Sequence, residues 1–494
     1  MTVDRPRLIE VAFPLKQASL DSVHEKNVRH GHISTLHIWP ARRPLAASRA
    51  ALIATLLPDP GTEAERKRLL ELLGGRVVIR NTFKNVGGRN VPVIKEETEG
   101  GILHWGRENG PALEFFREEI KKAYGGRAPR VLDPFAGGGA IPLEAMRLGC
   151  EVTAIDINPV AWFILKCTLE YPQRLAGQKR PLPRFALESE EFMAAYWKTR
   201  GNGRKGRGKK EAAAQPSLLE AEEADLSWHV RAWGHWVLER ARRDLERFYP
   251  TVDGKPTVAY LWARTVTCKN CRATIPLLKT LWLCRKDNKR FRLEMKPRSD
   301  KSGVDFGVVA EPVKGSNAAQ RRAHDQAVGR GTMSRSGAWC PVCGGPGTVS
   351  MTLDDIRAEG MAGRLGAQMT AVVVDGARGK EYRLPTEEEI EVAREAADHV
   401  DDVFNDVPFG LPTEPTPTGG GSGAGRAFSV QNYGLDRWYK LFTPRQLVAL
   451  GTFVKHTRAA REAMRAEGYP PEWVEAVSAY LASMVDRVAN QGST

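Results

Sequence analysis

The chain has 494 residues, 42% of them apolar and 27% charged, which suits a folded chain of roughly two to four domains. No run of about 18 apolar residues occurs, and the opening MTVDRPRLIEVAFPLK lacks the apolar core of a secretory signal, so a cytoplasmic protein with no membrane span is expected. The formal net charge of +14 is not gathered into one basic tail and points to a polyanionic partner, because Lys and Arg gain affinity by releasing counterions from phosphates; nucleic acid is the expected class.

In chain order, residues 1–75 read as helical and close at Gly74-Gly75. Residues 76–100 are polar and glycine-rich, as in a hairpin or an exposed loop. From Gly110 to Gly126, GPALEFFREEIKKAYGG places Leu113, Phe116, Ile120 and Ala123 on one helical face, with a glycine pair as the stop signal. An alternating β-α-β pattern then opens at Val131. The run KTRGNGRKGRGKKEAAAQP (198–216) carries seven basic residues between small ones and reads as a solvated linker; an arm that touches nucleic acid is the sharper alternative. From Trp228 to Pro250 a helix is expected with Val230, Trp233, Val237, Ala241 and Leu245 as its core stripe. DKSGVDFG (300–307) and KGSNAAQRRAHDQAVGRG (314–331) look irregular. Residues 369–400 read as strand, turn at Asp375-Gly376, short strand and a helix whose Thr386 and Glu389 form a capping box. A Pro- and Gly-rich linker (411–426) precedes two amphipathic helices that start after Thr443-Pro444 and Pro470-Pro471.

The stretch VLDPFAGGGAIPLEAMRLGCEVTAIDINP (131–159) carries the chemistry. Val131 and Leu132 are expected to end a buried parallel strand, with Asp133 at its carboxyl edge. Gly137, Gly138 and Gly139 permit a tight turn and close approach to a ligand, and the next helix turns its N-terminus toward the site. Asp156, 19 residues past Gly137, sits where a carboxylate accepts from ribose hydroxyls at the end of a second strand. The third glycine of G-x-G-x-x-G is absent, and an acid opens the motif, which suits a pyrophosphate poorly. A cationic, phosphate-free cofactor fits better, and S-adenosylmethionine (SAM), with an amine and a sulfonium, is expected.

Of the seven cysteines, four fall into C-x-x-C pairs, Cys268/Cys271 and Cys340/Cys343. Two residues between the thiols let both sulfurs face one ion, and two such knuckles present four thiolates to a structural Zn²⁺. The 68 residues between the pairs make that stretch an insertion in a zinc ribbon. Cys284, beside Trp282, reads as a buried thiol instead.

DPFAGGG…AIDINP resembles motifs I and II of amino-methylating, SAM-dependent methyltransferases. The order of the parts is similar to adenine-specific DNA methylases that contain a zinc ribbon. Ile9 to Ala50 matches that family's N-terminal domain of unknown function, WPARRP (Trp39 to Pro44) included. AYLWARTVTCKNC…IPLLKTLWLC, EGMAGRLGAQMTAVV and YGLDRWYKLFTPRQLVAL extend the likeness over most of the chain. The resemblance implies an α/β, Rossmann-like methyltransferase sheet with a helical N-terminal region and an inserted zinc ribbon. It implies that Asp133, Pro134, Phe135, Gly137, Gly139, Asp156 and Ile157 hold SAM, with Phe135, Gly137 and Gly139 along the methionine and adenosine and Asp156 on the ribose. Arg42 and Arg43 would meet phosphate or the SAM carboxylate. The expected organisation is a helical domain (1–75), a SAM-binding part (76–197), a basic linker (198–227), a helix with the zinc-ribbon insertion (228–385) and a helical C-terminal region (386–494).

Exocyclic amine methylation in such enzymes uses a [DNS]-P-P-[YFW] loop that accepts from the target amine and stacks on a flipped base. Asn158-Pro159-Val160-Ala161, NDVPFG (405–410) and YPPEW (469–473) all fail that pattern. The expected function is therefore an N6-adenine DNA methyltransferase, or its SAM-binding and DNA-contacting part, in restriction-modification or phage defence. A second polypeptide would carry the D-P-P-Y half and complete the sheet, whose open edge it would cover. A non-catalytic, zinc-containing nucleic-acid scaffold and an RNA methyltransferase are the alternatives.

Overall fold

A computed structural model describes residues 5–28, 30–86, 89–201, 223–286, 289–377, 379–419 and 428–492. Most of the expected basic linker and the glycine-rich end of the 411–426 linker lie outside the described residues. The chain divides into two compact units, Met1–Ala232 with Gly468–Ser483, and Trp233–Glu467 with Met484–Thr494.

In the first unit, helices Leu15–Glu25, Leu45–Leu56, Glu63–Gly74 and Pro111–Ala123 share a core that includes Ile53, Leu73, Leu103, Phe116 and Ile120. The helix starts differ in what serves them. The Thr62 side chain accepts from the Glu65 N–H, with Glu63 and Glu65 set against the helix dipole. Leu45–Leu56 has no cap of its own after Pro44; its first N–H groups, on Leu45 and Ala46, donate to the Glu25 carboxylate at 3.0 Å each. Leu113, Phe116 and Ile120 are buried as the helical spacing demands, whereas Ala123 faces solvent. Residues 76–100 form a long antiparallel hairpin, Arg76–Val86 against Arg89–Glu99, with Arg76 opposite Glu99.

One ion pair joins the N-terminal helices to the motif that follows. Arg49, in Leu45–Leu56, donates through Nε and Nη2 to the two oxygens of Glu144 at 2.6 and 3.0 Å, and through Nη1 to the carbonyl of Ile102. Both side chains are essentially withdrawn from water. Glu144 belongs to helix Ala140–Arg147, which connects strands Arg130–Asp133 and Glu151–Ala154. These two strands pair in parallel, Leu132 opposite Thr153.

One expectation is corrected at this point. The strand that ends at Asp133 is not buried: Leu132 is 61% exposed, because no described strand covers its outer side. Among the described residues the parallel sheet has two strands, so the structure is mixed α/β with small sheets, and a doubly wound Rossmann sheet is not shown.

In the second unit, a four-stranded antiparallel sheet runs in the order Gly379–Arg383, Gly366–Gly376, Thr257–Thr267, Thr274–Leu277. A three-stranded sheet follows, Trp282–Lys286, Lys289–Pro297 and Val304–Ala310, and then helix Ala318–Val328. The irregular readings of 300–307 and 314–331 are thereby corrected. Val304 and Leu293 supply a buried face that short-range alternation hid, and Asn317 caps the helix by accepting from the Ala319 and Gln320 N–H groups. The expected strand pair at 369–383 and the Thr386/Glu389 capping box are present. Thr443 caps the long helix Pro444–Ala466 in the same way with Gln446. The stripe Val230, Trp233, Val237, Ala241 and Leu245 on helix Leu226–Leu245 is buried throughout.

Removing Arg49 takes the bidentate partner from the buried Glu144 and leaves it only a longer contact with Arg147, at 3.4 Å. Arg49→Met is therefore expected to lower unfolding free energy by about 3–5 kcal/mol. Arg49→Met/Glu144→Leu should recover most of that loss. Urea denaturation of both variants checks it, and a single-variant loss below about 1 kcal/mol would be inconsistent with a structural ion pair.

Candidate functional site

The turn from Arg130–Asp133 into helix Ala140–Arg147 is held by two carboxylates. Asp133 Oδ1 accepts from the Phe135 N–H at 3.1 Å. Asp156, beyond the end of the second strand, accepts from Gly137 N–H through Oδ2 and from Asn158 N–H through Oδ1, both at 2.8 Å. Each Asp156 oxygen therefore keeps an unused lone pair. Gly139 adopts a left-handed conformation, φ 82°, as it hands the chain to the helix. Gly137 also has positive φ, and a Cβ there would lie 2.5 Å from Nε1 of the Trp39 indole.

Trp39 brings the N-terminal segment over the glycine turn. Together with Arg43, Asp133, Phe135, Gly137 and Asp156 it lines a cavity of about 400 Å³, inside the range of small-molecule sites, roughly 300–1,000 Å³. Phe135 is 85% exposed and offers its ring to this space. Arg43 is exposed, whereas Arg42 is engaged: its Nη1 lies 2.6 Å from His32 Nδ1 and its Nη2 3.9 Å from Glu25. Glu25 anchors that side. Burial alone would raise its pKa, but His32 and the Leu45 and Ala46 N–H groups outweigh burial and hold the carboxyl below its ordinary range.

Of the seven residues expected to hold a cofactor, Asp133, Phe135, Gly137 and Asp156 meet at this cavity. Gly139 lies behind it, its Cα facing Leu165, and Pro134 and Ile157 do not line it. The sequence did not point to Arg49, Glu144 and Glu25, which place the glycine turn and Trp39. The one signal for Glu144 is a carboxylate within an otherwise apolar helical stretch, AIPLEAM.

In the second unit, Cys268, Cys271, Cys340 and Cys343 converge with all four sulfurs within 4.8 Å of one another. The Cys268–Cys343 and Cys271–Cys340 sulfurs stand 3.7 and 3.6 Å apart, too far for disulfides. Four sulfurs at 2.3 Å from one tetrahedral ion would be separated by about 3.8 Å, so the cluster has the dimensions of a Zn²⁺ site. Both knuckles make the same turn: Arg272 N–H donates to the Cys268 carbonyl and Gly344 N–H to the Cys340 carbonyl, at 3.0 and 2.9 Å. Their inner side is packed on Val266, Ile275, Met351 and Ile356. The Cys343 thiol is pushed far up, first by its hydrogen bond with Cys271 and then by burial, so a fourth thiolate calls for a cation among the sulfurs. These four cysteines can hold a structural metal ion; Cys284, in strand Trp282–Lys286, lies outside the group.

Residues 12–72 match a family described as Protein of unknown function (DUF1156). That match covers Trp39, Arg43 and Arg49, and stops short of both the glycine turn and the cysteines. No curated protein and no solved structure matches the chain.

Purified protein is expected to carry about one equivalent of zinc, as a closed four-thiolate site does. Cys340→Ser should fall below about half an equivalent and melt at lower temperature, since metal binding to such a site is coupled to folding. Elemental analysis decides it, and wild-type protein already below half an equivalent would remove zinc from the cluster.

Proposed function

We propose that the chain is the SAM-binding, nucleic-acid-contacting part of an adenine-N6 DNA methyltransferase. The observation that carries this reading is one cavity gathering a glycine turn, two carboxylates at neighbouring parallel strand ends, an exposed aromatic ring and an arginine. That donor set suits a cationic adenosyl amino acid better than a dinucleotide, whose pyrophosphate Asp133 would repel. In this reading Asp156 accepts from the ribose hydroxyls with its unused lone pairs, and Asp133 meets the ammonium group. Arg43 takes the carboxylate and Phe135 flanks the adenine. When bound, the cofactor supplies an electrophilic methyl group. The chain's own task is to orient it, with Trp39 closing one side against water.

A second polypeptide belongs to the same proposal. Leu132, Phe135, Ile155, Ile157 and Trp162, on and beside the two-stranded parallel sheet, are each more than half exposed. Apolar side chains gathered at an unpaired sheet edge favour further strands, and a chain bearing the D-P-P-Y loop would supply both those strands and the acceptor residues. A Rossmann-like sheet would then be shared between the two polypeptides.

Calorimetry with SAM tests the cofactor. Asp156→Ala is expected to weaken binding about tenfold or more, the scale of hydrogen bonds to a charged group, while zinc content stays unchanged. Unaltered affinity would take Asp156 out of the site. Zinc-loaded wild-type protein that binds duplex DNA but no SAM would favour the scaffold reading instead.

A further inference from the structure

The net charge of the chain is unevenly placed. Residues 279–330, the body of the insertion between the cysteine pairs, hold thirteen Lys and Arg against six Asp and Glu, a surplus of seven out of the chain's +14. The described acids of this stretch are already engaged. Asp325 pairs with Arg290, and Glu311 with Arg292 and His324. Asp305 pairs with Arg298 and Glu294 with Lys296, while Asp300 accepts from Ser302. Four of the cations left without an ion pair gather at one place. Lys279, Arg285, Arg322 and Arg330 line an open cleft of about 780 Å³ between strand Trp282–Lys286 and helix Ala318–Val328. All four are exposed, and none has an ion-pair partner among the described residues.

The floor of the cleft is rigid. Trp282 donates from Nε1 to the Asp325 carbonyl at 3.0 Å, and Arg290 lies over its ring at 4.8 Å. A Cβ on Gly329 would collide with the indole, so helix and strand are locked at a fixed spacing. Leu281 N–H and Thr280 Oγ1 both donate to the Gly329 carbonyl, at 3.0 and 3.1 Å. Trp282 is thus committed to packing, which leaves the cleft cations without an aromatic platform for bases.

We infer that this cleft is a phosphate-backbone clamp for nucleic acid, binding without regard to base sequence. Four cations around a rigid floor, with the one acid of the lining, Asp325, already paired to Arg290, match a chain of phosphates; a small anion would leave most of them uncompensated. Sequence reading needs side chains held against base edges or stacked on bases, and four exposed cations with only Thr280 and Gln326 as neutral polar neighbours favour contact with the backbone. The inference rests on the nucleic-acid partner proposed above and not on the SAM cavity.

The test uses full-length, zinc-loaded protein with duplex DNAs of unrelated sequence and a hairpin RNA. Arg285→Gln/Arg322→Gln/Arg330→Gln is expected to reduce the slope of log K against log salt by about 2 to 3 on whichever probe binds, as the loss of three phosphate contacts requires. Lys455→Gln/Arg458→Gln/Arg461→Gln, an equal change of net charge on helix Pro444–Ala466, should retain most of the slope. Zinc content and melting temperature confirm that both variants are folded. An unchanged slope in the cleft variant, an equal loss in the control variant, or competition by polyglutamate as effective as that by DNA would each overturn the inference. Loss of SAM binding with the cleft-dependent slope intact would instead sink the methyltransferase reading and leave the clamp standing.

Discussion

The first unit depends on a buried ion pair. Arg49 and Glu144 lie 95 residues apart, one in the N-terminal helices and the other in the helix that follows the glycine turn. The pair is bidentate, and the remaining Arg49 donor reaches the Ile102 carbonyl, so the guanidinium is served on several sides. A buried pair of this kind adds little net stability over a well-packed apolar pair. Its value lies in specificity: Glu144 is withdrawn from water, its contact with Arg147 in the same helix is 3.4 Å, and its bidentate partner is Arg49. That arrangement sets Trp39 above Gly137, and the cavity is a consequence of it.

The second unit solves a different problem. The segment between its two C-x-x-C pairs has a small core built on Leu281, Leu293 and the face of Phe306 and Val308. Four convergent thiols at the base of that segment give it an anchor that apolar area alone would supply poorly. An anchored insertion can carry a dense surplus of positive charge on a rigid surface, where an unanchored basic loop would pay the ordering entropy on each encounter.

Periodic features were legible in the sequence. The apolar stripe from Val230 to Leu245, the Thr386 and Thr443 caps and the convergence of the four cysteines all follow from spacing within short windows. What stayed hidden depends on contacts between distant residues. Nothing local marks Arg49 as buried or assigns it Glu144, and Leu132 in an apolar run reads as covered until no strand is found beside it. The insertion was misread for a related reason. Val304–Ala310 is a strand through its pairing with Lys289–Pro297, a partner that nothing inside the short window DKSGVDFG announces.

The glycine turn bears on how such motifs are weighed. Gly137 is dictated by the chain itself, through a positive φ and an indole 2.5 Å from where a Cβ would stand, and Gly139 by its left-handed handover to the helix. Neither requires a ligand. A strand-turn-helix with these glycines would therefore be written the same way in a protein that binds nothing. The carboxylates discriminate better. Asp133 needs only one oxygen to hold the Phe135 N–H, and Asp156 satisfies two N–H groups while each oxygen keeps a lone pair free. Asn or Ser could have made the single bond of Asp133 without adding negative charge beside an open cavity, whereas the two bonds of Asp156, one to each oxygen, call for a carboxylate. Asp133, an acid where a neutral residue would serve the turn equally well, therefore supports the proposed cationic cofactor independently of the glycines.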